Sequence, residues 1–264
     1  MGAVNRNRLR WGAIAWLLTL QFFVLEAIAQ ARVDGPYSRI DDVISALGAS
    51  DSAGRELMNA SFVVQSALIL TGALLLRPAL LRGAATAVPV LLGAASLGVL
   101  LVGVFPTDGN STLHAVGAVL YLVGGGLGLI ALAYAVRSRS EAVGTTLALL
   151  GLVATAATVF FLTGVTGYLG EGGTERAAAY PLPLGLAVAA AALWRLGPEA
   201  PGAADRDPSA PGSRREERAQ ERAAKAARDR ERDAALAAAA RRDAGGRPET
   251  DESEDLWGSR GRRD

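Results

Sequence analysis

Six stretches of about twenty mainly apolar residues, separated by short polar loops, decide what this chain can become. They run from Trp11 to Ala31, Leu57 to Leu76, Ala84 to Phe105, Leu113 to Val136, Ala142 to Val165 and Ala178 to Leu196. The hydrocarbon core of a bilayer is crossed by roughly 20 helical residues, and lipid offers no partner to a free N–H or C=O. A helix that bonds its own backbone is the solution open to such a segment. The expected fold is all-α: a polytopic transmembrane bundle of about six helices over residues 1–197, followed by a charged Ala/Arg/Glu-rich tail over residues 198–264. Pro181 and Pro183 stand near the start of the sixth stretch, where a first turn tolerates them and an interior would kink.

Arginine gives the bundle a direction. Arg6, Arg8 and Arg10 precede the first stretch, Arg77 and Arg82 separate the second from the third, Arg137 and Arg139 the fourth from the fifth, and Arg195 ends the sixth. The opposite short loops carry only Arg176, and the longer first loop mixes its arginines with Asp34, Asp41, Asp42, Asp51 and Glu56. Positive residues mark the cytosolic side, so the expectation is a multi-pass cell-membrane protein with both termini in the cytosol. The arginine-rich start, the apolar run and Ala29-Gln30-Ala31 also fit a cleaved signal peptide, which would leave the same loops outside. The tail is alanine-rich and charged from Arg214 to Ala244, a composition that supports a single helix or a largely disordered segment. Leu256 and Trp257, set among acids near its end, offer a docking point for a cytosolic protein partner.

Composition removes several function classes. The chain has no cysteine, so thiol nucleophiles, disulfides and thiolate metal sites are excluded, and its single histidine, His114, leaves a metal centre to carboxylates. No metal and no cofactor is expected. Of 27 basic and 26 acidic residues, 15 and 16 lie in the last 67, so no positive stripe exists to attract nucleic acid.

Three constellations can carry chemistry. In the first loop Ser38 can cap a helix whose third residue is Asp41; Ile40, Val43, Ile44 and Leu47 then recur at helical spacing until Gly48. This predicts a short amphipathic lid on the membrane surface, with Asp41, Asp42 and Ser45 on its polar side. Second, Pro106 stops the third span, Gly109 and Asn110 turn the chain, and Ser111 or Thr112 can cap the fourth, which places Asp108 and His114 at one boundary. An Asp that holds an imidazole is the base half of a hydrolytic triad, and Ser45 could complete it; the alternative is a structural pair that fixes a loop. Third, Glu26 lies at lipid depth in the first helix, where a charge costs roughly 2.5–3.5 kcal/mol and must face the bundle. Asn59 and Gln65 reach similar depths. An outward-opening pocket with Glu26, Asn59, Asp108 and His114 around it is one reading, and interhelical hydrogen bonding as glue is the other. The glycines Gly117, Gly124, Gly125, Gly126 and Gly128 let the fourth helix approach its neighbours closely.

The order Pro36-Tyr37-Ser38, Asp42, Ile44-Ser45-Ala46-Leu47-Gly48, Met58-Asn59, then Gly103-Val104-Phe105-Pro106-Thr107-Asp108 and His114 resembles the bacterial multi-span membrane protein family known as domain of unknown function nine-nine-eight. The resemblance covers roughly residues 11–197. It implies a bundle of about six helices with the first span retained, and implies no reaction. Together these readings favour binding of a lipid headgroup or small polar ligand at the extracytoplasmic face, with Asp42, Asp108, His114, Glu26 and Asn59 as ligand-binding candidates and membrane lipids as partners. A membrane-embedded hydrolase with Asp108, His114 and Ser45 as catalytic candidates is the alternative, and a small-solute transporter a third.

Overall fold

Where the helices break says as much about the bundle as where they run. The computed structural model describes residues 6–80, 83–196 and 222–237; Arg82, Leu256, Trp257 and the rest of the tail lie outside the described residues. Contacts divide the chain into Met1–Pro201 and Gly202–Asp264. In the second unit, residues 222–237 form an exposed helix, as their alanine content favours.

The first unit is built of α1 (Arg6–Leu18), α2 (Gln21–Gln30), α3 (Arg55–Leu76), α4 (Ala84–Val104), α5 (Ser111–Arg137), α6 (Glu141–Leu162), α7 (Gly170–Ala179) and α8 (Pro181–Leu196), with short 3-10 turns at Ile44–Gly48 and Arg77–Ala79. Singly or joined end to end, these make six helices among the described residues that are long and apolar enough to cross a membrane: Arg6–Gln30, Arg55–Ala79, Ala84–Val104, Ser111–Arg137, Glu141–Leu162 and Gly170–Arg195. The protein is thus a multi-span membrane protein, all-helical among the described residues. Five spans fall where hydropathy places them. The sixth does not: it starts at Gly170 rather than Ala178, so Glu171, Glu175 and Arg176 are helical and not part of a loop. Charges lower the apolarity of that turn, but Glu175 and Arg176 find partners inside the protein, as described below, and Glu171 is exposed.

Each irregularity in a span leaves backbone groups that a neighbour satisfies. The first span breaks at Thr19, where Thr19, Leu20, Phe22 and Phe23 amides bond three residues back instead of four. Pro183 cannot donate to the Ala179 carbonyl, and the Tyr121 hydroxyl of α5 donates to it instead at 3.4 Å. Pro89 inside α4 likewise leaves the Ala85 carbonyl without its helical donor, and the Arg77 Nε supplies one at 3.0 Å. Arg8 and Arg139 donate to the Leu74 and Ala79 carbonyls at 2.9 and 2.7 Å, closing the end of the second span.

Between the helices, small residues set the distance. A Cβ on Gly98 of α4 would lie 2.3 Å from the Tyr121 amide nitrogen, and one on Gly117 of α5 would lie 2.7 Å from the Gly98 carbonyl oxygen. These two backbones are in contact, the close approach by which helices gain dispersion energy in a solvent as apolar as their own side chains. Gly72 of α3 does the same for one large side chain: Trp16 is fully buried against it and donates its Nε1–H to the Ile69 carbonyl at 3.2 Å. Exposed Trp11, Tyr134 and Trp194 ring the end of the bundle that carries Arg10, Arg137 and Arg195, as amphipathic rings do at a headgroup layer.

Candidate functional site

The opposite end of the bundle carries the long loop between the first two spans, and the sixth span holds that loop down. The run Gly170-Glu171-Gly172-Gly173 opens α7, and the loop crosses it at backbone contact. A Cβ on Gly172 would meet the Asp42 carbonyl oxygen at 2.2 Å, and the Gly173 amide donates to the Ile40 carbonyl at 3.0 Å. Gly170 has φ at +69°, in the left-handed region that favours glycine at the turn into the helix. One turn further, adjacent side chains grip the strap. Arg176 donates through Nη1 to the Arg39, Asp42 and Gly172 carbonyls at 2.9, 2.7 and 3.0 Å, and Glu175 accepts the Ile44 amide.

Arg176 also pairs with Glu26. Both are buried, with Nε to Oε1 at 3.1 Å. Glu26 further accepts from the Tyr180 hydroxyl at 2.7 Å and from Gln30 Nε2 at 2.7 Å, so the carboxylate is surrounded by donors. Such saturation is the condition under which a buried charge pair persists. The Tyr180 ring is placed by edge-on packing against Phe23, centroids 4.9 Å apart, and Arg39 donates to its oxygen at 2.6 Å. Tyr37 accepts from Arg176 Nη2, and burial raises its hydroxyl above the ordinary phenol range, with the guanidinium opposing. This network joins the first span, the loop and the sixth span.

The structure distributes the residues singled out from sequence among different tasks. Ser38 makes the bonds of a cap, its Oγ accepting from the Asp41 amide at 3.2 Å and donating to Asp41 Oδ2 at 2.6 Å, while Asp42 Oδ2 accepts from the Ser38 amide at 2.8 Å, but they close a turn and no helix follows. The amphipathic helix expected from Ser38 to Gly48 does not form. Val43 is extended, the chain restarts as the 3-10 turn Ile44–Gly48, and Ile40 is exposed while Ile44 and Leu47 are buried. The reason is the grip of α7 on residues 39–44, which pulls the backbone out of helical register. Asn59 donates to the Gly48 carbonyl at 3.0 Å, fastening that turn to α3. Asp108 is exposed and accepts the Ser50 amide at 2.9 Å; hydrogen bonding from the Ser50 hydroxyl and amide holds its carboxyl below the ordinary 3.8. The His114 Nδ1 meets the Phe105 carbonyl at 2.8 Å. Asp108 and His114 therefore have separate partners, and Asn110, whose side chain accepts from the Leu113 amide at 3.1 Å, is the cap of α5 in place of Ser111 or Thr112. Gln65 is hydrogen-bonded to Gln21 at 3.2 Å, a contact between the first two spans rather than part of a pocket with Glu26.

What the fold does bring together is Ser45, His114 and Glu175. They border a partly open cavity of about 40 Å³ under the strap, walled otherwise mainly by apolar side chains such as Phe22, Phe62 and Val99, with Tyr121 also on the lining. Glu175 and Arg176 were missed in the sequence because a hydropathy window cuts the sixth span after them. The signal that reveals them is Glu26, a carboxylate at lipid depth that needs a cation from another helix; Arg55 and Arg176 both stand beside the start of a facing span, and the fold selects Arg176.

A family model described as Protein of unknown function (DUF998) matches residues 14–200. The chain belongs to this family. The DUF998 region takes in the strap, the Glu26–Arg176 pair and every residue of the cavity, and leaves the charged tail outside. Neither the curated proteins nor the solved structures give a significant match.

Proposed function

We propose that this DUF998 protein binds the polar end of a small amphipathic molecule, such as a lipid headgroup, beneath the strap. The observation that carries this reading is the convergence of Ser45, His114 and Glu175 on one cavity whose remaining wall is apolar. A mostly apolar enclosure with a few converging polar groups is the ordinary form of a small-molecule site. In this reading His114 touches the ligand, while Glu26, Asn59, Asp42 and Asp108 position the strap that covers it. The arginine distribution supports a strap on the extracytoplasmic face, with both termini in the cytosol. Native mass spectrometry of gently solubilised protein tests the proposal: a retained small molecule is expected in the wild type, and His114→Ala should lose it. No retained mass in the wild type would overturn it.

A second reading follows from the same cavity. The Phe105 carbonyl can only accept, so a neutral His114 carries its proton on Nδ1 and leaves Nε2 as a base, and Ser45 lies on the same cavity. That is the dyad of a serine hydrolase with a backbone carbonyl in place of Asp108. A fluorophosphonate probe that labels Ser45 in the wild type and not in His114→Ala would support it. An unlabelled wild type would remove it.

A further inference from the structure

The hydrogen-bonding character of the cavity specifies its ligand more closely than its shape does, and this step rests on the binding reading above. Apart from the Ser45 hydroxyl, which can donate or accept, each polar side chain on the lining has its donor already committed or has none. The Tyr121 hydroxyl donates to the Ala179 carbonyl, which leaves its oxygen lone pairs. The His114 Nδ1–H is taken by Phe105, which leaves Nε2 as an acceptor. Ionised, the Glu175 carboxylate accepts only, and the Ile44 and Ser45 amides occupy part of its lone-pair capacity. No arginine or lysine is on the lining, because the guanidinium of the neighbouring Arg176 is consumed by Glu26, Tyr37 and the loop carbonyls. His114 is only 8% exposed, so its free acceptor has little access to bulk water.

We propose that the ligand is a primary ammonium group on an apolar chain. Three acceptors match its three N–H donors, the carboxylate supplies the countercharge, and Phe22 and Phe62 receive the first carbons. A phosphate or carboxylate end would meet Glu175 with no cation to offset it. The cavity of about 40 Å³ has room for roughly three waters, too little for an ammonium group together with its first carbons. Entry therefore requires the turn Ile44–Gly48 to lift, which removes the Ile44 amide from Glu175 and lets the ammonium take its place. The same chemistry is offered by an ethanolamine lipid headgroup and by a free long-chain amine.

The test uses the full chain in two arms. In nanodiscs of equal ethanolamine, choline and glycerol phospholipid, native mass spectrometry reads the lipid retained. In choline-lipid nanodiscs, photoreactive decylamine and photoreactive decanoate are compared, with crosslinks mapped by peptide sequencing. An ethanolamine lipid enriched about tenfold over its choline counterpart, which has no N–H, assigns the lipid source; decylamine crosslinked at Phe22 or Phe62 about tenfold above decanoate, without that enrichment, assigns the free amine. Glu175→Gln keeps an acceptor for the Ile44 amide and so keeps the strap, yet should abolish either preference. Equal retention of the three lipids with no excess of amine over acid overturns the ammonium assignment while leaving the binding reading intact, and so does a preference that survives Glu175→Gln. No retained lipid and no mapped crosslink in either arm overturns both.

Discussion

Replacing Arg176 with methionine isolates the contribution of the buried pair. Methionine keeps the length and apolar stem but leaves Glu26, only 1% exposed, without its cation. Loss of one partner from a buried ion pair costs about 3–5 kcal/mol, because the remaining charge stays desolvated. Glu26 keeps the Tyr180 and Gln30 donors at 2.7 Å each, which places the expectation at the lower end, about 3 kcal/mol. The Arg39 and Asp42 carbonyls also lose their donor, but they lie on a loop within reach of water and add little. The double variant Glu26→Leu with Arg176→Met removes both charges and should recover about half of that loss, since an apolar pair of similar volume replaces a charge pair at small net cost. Equilibrium unfolding in mixed micelles, followed by circular dichroism, measures both, and hydrogen exchange over residues 39–45 should rise in both. A single-variant loss below about 1 kcal/mol, the range of an exposed pair, would refute the reasoning. A double variant no more stable than the single would refute it as well.

Three further outcomes follow from the geometry. Gly72→Ala would drive a Cβ to within 2.0 Å of the Trp16 indole and should cost about 1–3 kcal/mol, seen as a lower unfolding midpoint together with an altered near-ultraviolet tryptophan signal. Asp108→Asn should speed exchange of the Ser50 amide with little change in the midpoint, because Asp108 is exposed. In the wild type that protection should hold at any pH above the ordinary 3.8 and fade only as pH falls through the lower folded value, the sign required when folding depresses a carboxyl. Because the chain has no cysteine, single cysteines at Gly109 and Ser138 report sidedness cleanly: an impermeant maleimide on intact cells should label the first and spare the second.

The sequence by itself determined the class of fold, since a run of apolar residues that must satisfy its own backbone in lipid has few options, and five of the six spans follow from hydropathy. It also carried the local devices: Ser38 bonding to Asp41, the end of α4 before Pro106, the glycines of α5, and the need of Glu26 to face inward. Those depend on neighbours within a few residues or on the solvent, which a sequence displays directly. Tertiary structure alone decided which groups meet. Glu26 finds Arg176 across 150 positions, Asp108 finds Ser50 and not His114, and Glu175 joins His114 and Ser45 because α7 begins early enough to reach the strap. Pairing between distant segments is set by which helix faces turn toward each other, and several arrangements of six apolar helices satisfy the same hydropathy equally well.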